Sequence, residues 1–218
     1  MRALPTRLEI HHPPKGVPYH ESNSRAGVRE TAVLGFNAKD VDSLITRDGV
    51  PVATHWPRPL RHGFTWAGRG RMPSGVTIAE LTLAQVERLQ AGPYRIRTVE
   101  EILAVAGRLD VTTCLELKPD RRWAKPATYA PLIAAADKHD AALVIMSQPR
   151  MFGRGMRYLR AAKRAGLPVL LQKRGPVPPW WWKDLTFAKG PRRFAGRGQA
   201  QGVVWLGPGS PNGGSRIA

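Results

Sequence analysis

The chain has 218 residues, a hydrophobic content of 42% and a formal net charge of +18. This length suits one domain, and this hydrophobic content is enough for a core, which excludes a disordered chain. The charge favours anionic partners such as nucleic acid, anionic lipid or phosphate-rich polymers, but it does not indicate a fold. Residues 141–218 contain 14 Lys and Arg against one acid, Asp184, so most carboxylates lie in the first two thirds of the chain.

The composition also limits the compartment. Cys114 is the one cysteine, so an intrachain disulfide is excluded and nothing points to an oxidising compartment. No apolar run approaches the roughly 20 residues of a transmembrane helix, and residues 1–10 lack the apolar core of a signal peptide. We therefore expect a soluble protein that is cytoplasmic or virion-associated. Its Arg-rich sequence favours an actinobacterial or phage origin.

Apolar strand patterns alternate with helical patterns along the chain. Strands are predicted over 8–12, 38–46, 50–56, 111–118, 141–147, 167–173 and 202–208. Helices are predicted over 24–36, 77–90, 98–109, 131–139 and 156–166. Ser24 is at a capping position, and Thr77 with Glu80 and Thr98 with Glu101 have the spacing of capping boxes. Residues 57–75 are predicted as a loop rich in Gly, Pro and Arg, and one short helix is predicted within 174–201.

Alternating strands and helices, with several strands uniformly apolar, are typical of a parallel sheet covered by helices. So many units in one domain favour a (β/α)8 TIM barrel over an open, doubly wound sheet. Six to seven strands are predicted rather than eight, so we expect a barrel that is abbreviated at its C-terminal end. Residues 1–208 are assigned to this single domain and residues 209–218 to a flexible tail.

Ionisable side chains recur where the predicted strands end, which is where a (β/α) barrel places its functional groups. They are His11 and His12, Asp40 and Asp42, His55, and Glu116 with Lys118. Asp40 and Asp42 share one strand face, as do Glu116 and Lys118, because side chains alternate with a period of two. Residues 40–56 are interpreted as two barrel strands joined by a turn, rather than as a hairpin that carries scattered charges.

These residue types suit attack on a phosphodiester. Three carboxylates that converge at a barrel mouth would make an oxygen site for one divalent cation, Mg²⁺ or Ca²⁺. Two histidines beside it could serve as general acid and base, and Lys118 could hold an anionic oxygen. Taken singly, an Asp-x-Asp pair is more often a solvated strand face, and Glu-x-Lys is more often an ion pair.

Three segments carry a characteristic order of motifs: HHPPKGVPYHESN (11–23), GFNAKDVDSLITRDGVPVATHW (35–56) and CLELK (114–118). Their order resembles that of the glycerophosphodiester phosphodiesterases, metal-dependent (β/α)-barrel enzymes of the phospholipase C-like type. The family pattern begins with His-Arg-Gly and Glu-Asn-Thr. It continues with Glu-x-Asp, a Thr-x-Asp-Gly turn, Val-x-x-His-Asp and Glu-x-Lys. The similarity is good over residues 8–120, weak over 140–173 and fades after that.

The resemblance implies a phosphoric diester hydrolase that cleaves a glycerophosphodiester-type bond, derived from a phospholipid or an envelope polymer. It implies metal ligands at Asp40, Asp42 and Glu116, with Glu21 close to them. It implies an acid/base pair of His12 and His55, with His11 as the competitor for the position of His12. Lys118 and Lys15 would contact the substrate phosphate. Such enzymes act in lipid metabolism.

Three departures from the family pattern concern the site. Pro13 and Pro14 stand where the family has Arg and Gly, which removes a guanidinium suited to phosphate, so Lys15, Lys118 or Arg58 would have to replace it. Asp40 is one methylene shorter than the family's Glu. Trp56 stands where the family has an Asp after the second histidine. Each departure bears on catalysis more than on fold.

The main alternative function is a nucleic-acid-binding or anionic-envelope-binding protein on a catalytically degenerate barrel. Segment 150–197 is rich in Arg and Lys, and its three consecutive tryptophans, Trp180 to Trp182, could stack on bases. No recognised nucleic-acid motif accompanies them, so nucleic acid ranks below contact with an anionic surface. A solvated helix face and a structural tryptophan plug would explain the same residues.

The loop over 57–75 is the candidate for selecting the alcohol group of the substrate. Its relevant side chains are Arg58, Arg61, His62, Trp66 and Arg69. His62 and Trp66 are equally compatible with a loop that only fills space.

Overall fold

A computed structural model describes residues 1–5, 7–12, 18–147, 154–171, 187–188 and 201–206. The strands are β1 (Arg7–His11), β2 (Ala38–Ile45), β3 (Pro51–Ala53), β4 (Thr65–Trp66), β5 (Leu89–Ala91), β6 (Tyr94–Arg95), β7 (Arg97–Thr98), β8 (Thr112–Leu117), β9 (Leu143–Ser147), β10 (Val169–Leu171), β11 (Phe187–Ala188) and β12 (Gln201–Leu206). The α-helices are α1 (Tyr19–Ser22), α2 (Arg25–Val33), α3 (Leu83–Val86), α4 (Val99–Arg108), α5 (Ala130–Lys138) and α6 (Arg154–Arg164). Four short 3-10 helices lie at Pro59–Arg61, Ile78–Glu80, Arg121–Ala124 and Pro126–Tyr129.

Parallel strands close into a barrel. The strand order runs β1, β12, β11, β10, β9, β8, β2, and β2 returns to pair with β1. Every pairing between neighbours in this ring is parallel. The described part of the chain therefore contributes seven barrel strands. Six of them were predicted, and the seventh is β11 rather than the predicted strand over 50–56. The tail predicted over 209–218 lies outside the described residues.

The interpretation of residues 40–56 as two barrel strands is wrong. β3 pairs with β2 in the antiparallel sense, with Leu44 opposite Val52, and β7 adds to β3 at its outer edge. A parallel connection needs a crossover of a dozen or more residues, and the short turn between β2 and β3 cannot supply one. Gly49 takes a positive φ of 87° in this turn. The stretch is thus a hairpin that extends beyond the barrel.

The predicted helix over 77–90 is also wrong. A 3-10 turn at Ile78–Glu80 gives way to extended backbone at Leu81, and α3 then starts at a second capping box, in which Thr82 binds Gln85. Two competing start signals five residues apart divide the segment, and its last residues join β5 instead. β4, β5 and β6 form a separate antiparallel sheet next to the barrel.

Two apolar layers support the barrel. Inside it, Leu8, Ile10, Cys114, Val144, Met146 and Leu170 are fully buried. Outside it, alternate residues of the same strands pack under the helices, with Val41 and Leu115 beside Ile102 of α4. Thr98 and Glu101 form the predicted capping box at the start of α4, and Ser24 caps α2 as predicted. Among the described helices, none has the length and apolar character required to cross a membrane.

His11 belongs to the outer layer. It is 1% exposed, its Nδ1 lies 2.9 Å from Thr31 Oγ1 of α2, and its ring stacks on Phe36. Burial, together with the positive charges of Lys39 and His12, lowers the pKa of His11 to about 4. The folded protein therefore holds this imidazole neutral at pH values where the unfolded chain would protonate it.

We expect the free energy of unfolding to decrease as the pH falls from about 6.5 to about 4. In this range His11 is protonated in the unfolded chain but stays neutral in the folded protein. The contribution of neutral His11 is complete above about pH 6.5 and amounts to roughly 3 kcal/mol. Urea unfolding of the wild type and of His11→Leu at a series of pH values measures it. The difference between the two curves should be pH-dependent, and a constant difference would contradict the assignment.

Candidate active site

Three carboxylates meet at the carboxyl ends of two neighbouring barrel strands. β2 carries Asp40 and Asp42 on its inward face, and β8 carries Glu116, which is paired in register with Asp42. All three are buried, with exposures of 7%, 6% and 3%. One oxygen from each lies within 4.8 Å of the others. The structure thus brings together the three predicted metal ligands.

Asp40 is the least compensated of these acids. Its Oδ1 is buried and has no hydrogen-bond partner among the described residues. Burial and the charges of Glu116 and Asp42 raise the pKa of Asp40 well above its usual value. A buried, unpartnered carboxylate oxygen is costly unless a proton or a cation neutralises it. The all-oxygen donor set fits a hard divalent cation such as Mg²⁺ or Ca²⁺.

Lys118 provides a fixed positive charge within the cluster. Its Nζ lies 2.6 Å from Asp42 Oδ1 and 2.5 Å from Glu116 Oε1. Burial would lower the pKa of Lys118, but the charges of Asp42 and Glu116 outweigh it and raise the pKa. The ammonium is therefore retained, and one lysine faces three acids.

The hairpin returns His55 to the end of β2. His55 Nδ1 lies 3.1 Å from Asp42 Oδ2, and its ring stacks on Tyr19 of α1 with centroids 3.9 Å apart. Burial would raise the pKa of Asp42, but hydrogen bonds from His55 and Lys118 lower it below its usual value. Because an ionised carboxylate only accepts hydrogen bonds, Nδ1 of His55 carries a proton. Nε2 remains available for chemistry.

His12 and His11 point to opposite sides of β1. The side chain of His12 is 40% exposed, and its Nε2 lies 3.8 Å from Asp40 Oδ2. His11 contacts α2 on the outer face of the barrel. Of the two histidines left open by the sequence, His12 is the one beside the carboxylates.

Glu21, the fourth predicted metal ligand, is not part of the cluster. Glu21 of α1 lies outside the group of three carboxylates and hydrogen-bonds the hydroxyl of Tyr94. Its neighbour Ser22 accepts a hydrogen bond of 2.8 Å from Nζ of Lys39, a lysine that is only 1% exposed. Lys15, Pro13 and Pro14 lie outside the described residues.

Asn23 is a site residue that the sequence analysis did not identify. Its Nδ2 donates to Asp42 Oδ2 at 2.9 Å, and its Oδ1 accepts from the backbone N–H of Asp42 at 2.7 Å. It is 3% exposed and forms the C-cap of α1. Nineteen residues separate it from Asp42, so no local spacing could have indicated the contact.

The loop over 57–75 reaches the site through stacked rings. Trp56 packs edge-on against His55, with centroids 4.4 Å apart, and stacks on His62 at 3.8 Å with an interplanar angle of 8°. Trp66 instead packs against the apolar core of the antiparallel sheet. Arg58, Arg61 and Arg69 are exposed. Of this loop, His62 is the residue that adjoins the site.

The basic segment is only partly described. α6 exposes Arg157, Arg160, Lys163 and Arg164 on its outer side. The tryptophans at 180–182 lie outside the described residues.

Comparison with known proteins gives structural matches and no sequence match. No protein-family model matches the chain, and no curated protein does. A protein from Silicibacter pomeroyi named as a glycerophosphoryl diester phosphodiesterase is 19% identical, with 94% of this chain and 84% of that chain covered, at a TM-score of 0.70. The chain has the fold of the glycerophosphodiester phosphodiesterases. That fold is a TIM barrel, so the predicted (β/α) barrel is confirmed.

Two further structures have the glycerophosphodiester phosphodiesterase fold. A phosphodiesterase from Oleispira antarctica, in complex with the product sn-glycerol-3-phosphate, is 21% identical over 85% of this chain and 74% of that chain, at a TM-score of 0.61. A glycerophosphodiester phosphodiesterase from Parabacteroides distasonis is 16% identical over 84% and 73%, at a TM-score of 0.60. At these identities the likeness establishes the fold, and activity has to be argued from the residues of the site.

Proposed function

We propose that the protein is a metal-dependent phosphodiester hydrolase that cleaves a glycerophosphodiester-type bond. One observation carries the proposal: a buried cluster of three carboxylates lies between two histidines at the mouth of a barrel, and one of its oxygens has no partner among the described residues. A protein that only bound an anionic polymer would gain nothing from burying three acids there.

Asp40, Asp42 and Glu116 would hold one divalent cation, Mg²⁺ or Ca²⁺. When bound, the cation supplies positive charge to the phosphate oxygens and neutralises the carboxylates. Asp40 would need no glutamate-length side chain, because one of its carboxylate oxygens is already within the cluster. Glu21 as an additional ligand and Lys15 as a phosphate contact stay predictions.

Two histidines, His12 and His55, perform the proton transfers. Lys118, charged and fixed by two carboxylates, donates a hydrogen bond to a phosphate oxygen. One of His12 and His55 accepts the proton of the nucleophile, which is water or a neighbouring substrate hydroxyl. The other donates a proton to the leaving alkoxide. His55 is suited to the first step, because Asp42 holds the proton on Nδ1 and leaves Nε2 as the acceptor.

The proposed substrate is an ester of glycerol phosphate, as a phospholipid-derived diester or an envelope polymer. The product sn-glycerol-3-phosphate in the Oleispira antarctica structure supports this class. The basic outer side of α6, within the segment 150–197, would favour substrates presented at an anionic surface. The replacement of the family's Asp by Trp56 is compatible with activity, since His55 is oriented by Asp42.

We expect the purified protein to hydrolyse bis(p-nitrophenyl) phosphate and glycerophosphocholine in the presence of Mg²⁺ or Ca²⁺, and to lose this activity on addition of EDTA. Calorimetry should detect one bound cation in the wild type and none in Glu116→Gln. Glu100→Gln is the matched control, because Glu100 is about half exposed and pairs with Lys138 away from the site. Turnover that persists in EDTA would exclude the metal.

Failure of the enzyme proposal has a distinct outcome. If no cation binds by calorimetry and duplex DNA binds with a steep dependence on salt concentration, the protein is a nucleic-acid binder on a degenerate barrel.

A further inference from the structure

The short helix α1 contacts His55 directly at one end and through Asp42 at the other. The ring of Tyr19, the first residue of α1, stacks on the imidazole at a centroid distance of 3.9 Å. Asn23, which ends α1, donates from Nδ2 to Asp42 Oδ2 at 2.9 Å, and the same oxygen lies 3.1 Å from Nδ1 of His55. The Nδ2 group of Asn23 also donates to the carbonyl of Tyr19 at 3.0 Å. These contacts therefore link Tyr19, His55, Asp42 and Asn23 in a closed ring.

This ring of contacts, together with Lys118, fixes the orientation of the Asp42 carboxylate. Lys118 contacts Oδ1, and Asn23 and His55 both contact Oδ2. Asn23 also accepts the backbone N–H of Asp42, so its amide is attached at both ends and cannot rotate without losing a buried hydrogen bond. Without Nδ2 of Asn23, Oδ2 would lose one of its two hydrogen-bond donors, and the carboxylate would be less constrained relative to His55.

α1 is in turn held rigidly against the next helix. A Cβ on Gly27 of α2 would lie 2.3 Å from the carbonyl oxygen of Ser22, so the two helices are in backbone contact. Ser22 is also anchored by Lys39 of β2 through the 2.8 Å hydrogen bond to its Oγ. A four-residue helix is too short to be stable alone, and these contacts fix it relative to β2.

We propose that Asn23 is a positioning residue that acts on His55 through Asp42, and that it selects the imidazole tautomer with the proton on Nδ1 and the lone pair on Nε2. The expected effect of Asn23 on catalysis rests on the proposed function, whereas its effect on the tautomer of His55 does not. The proton on Nδ1 is donated to Asp42 Oδ2, so the ring nitrogen that keeps a lone pair is Nε2.

The test compares Asn23→Ala with the wild type by two readouts. Long-range ¹H–¹⁵N spectra of the six histidines report which ring nitrogen of each is protonated. The signals of His55 are identified as those that disappear in His55→Gln. We expect the Nδ1–H form in the wild type and a mixture of tautomers in Asn23→Ala. With bis(p-nitrophenyl) phosphate, kcat should decrease about 10- to 100-fold while KM changes less than about twofold.

Two further variants keep the result interpretable. Asn23→Asp retains an acceptor for the backbone N–H of Asp42 but removes the Nδ2 donor, so it should reproduce the tautomer mixture of Asn23→Ala. Asn37→Ala is the matched control, because Asn37 accepts the backbone N–H of Glu9 at 2.7 Å at the opposite end of β2. It should lower thermal stability and leave the His55 spectrum and kcat unchanged.

Each outcome has one meaning. An unchanged Nδ1–H signal of His55 in both Asn23 variants would overturn the positioning role, whether or not the protein is an enzyme. A tautomer mixture in both, in a protein whose wild type hydrolyses no diester, would support the positioning role and refute the proposed hydrolase function instead.

Discussion

His55→Ala should lower kcat for diester hydrolysis by about 10²- to 10⁴-fold, the usual contribution of a positioned acid or base. The imidazole is 22% exposed, and contacts with Asp42 and with the Tyr19 ring fix its orientation. His12→Ala should show a loss of similar size. Because the two histidines act in one reaction, the double variant should lose much less than the product of the single losses.

The matched control for the histidine variants is His139→Ala. His139 follows α5, and its Nε2 lies 3.4 Å from Glu100, in a contact remote from the barrel mouth. Its replacement should change kcat by less than about threefold. If His55→Ala and His139→Ala lose equal activity, His55 is not part of the catalytic machinery.

Lys118→Met should destabilise the metal-free protein by about 3–5 kcal/mol, the usual cost of removing one partner from a buried ion pair. The lysine side chain is 12% exposed and contacts both Asp42 and Glu116. Without it, the three buried acids lose their fixed positive charge. Urea unfolding in the presence of EDTA measures the loss, and millimolar Mg²⁺ or Ca²⁺ should restore part of it, because a cation that binds only the folded state stabilises it.

Lys138→Met provides the comparison for this variant. Lys138 donates to Glu100 at 2.8 Å, but its side chain is 66% exposed, so water screens the pair. We expect a change below about 1 kcal/mol, with no response to the cation. A loss of similar size in both variants would indicate that the carboxylates at the barrel mouth are protonated and need no counter-charge.

The barrel was predictable because its strands and helices differ in their periodicity. Uniformly apolar strands such as β9 are buried on both faces, and the capping box of Thr98 with Glu101 marks the start of α4. These signals lie within a few residues of one another along the chain. The prediction of a helix over 77–90 was wrong because two local start signals compete there, and only packing decides between them.

The inward-facing acids were predictable by the same local logic. A period of two places Asp40 with Asp42 on one strand face, and the carboxyl ends of parallel strands meet at one edge of a barrel. That Glu116 lies directly opposite Asp42 was not predictable in this way, because it requires β8 to pair with β2, whereas a barrel strand was predicted over 50–56 between them. The hairpin was misjudged because strand periodicity does not specify direction, although the short turn after β2 does.

Residue patterns along the chain were sufficient to predict the barrel, the carboxylates that face its mouth and a histidine that ends the first strand. Which histidine faces the mouth was decided by the pleat of β1, which turns His11 toward α2 and leaves His12 beside Asp40. The partners of Asp42 were decided by chain segments that meet it only in the folded state. Asn23 and His55 reach Asp42 from a short helix and from a hairpin, and contacts between such distant segments leave no local pattern in the sequence.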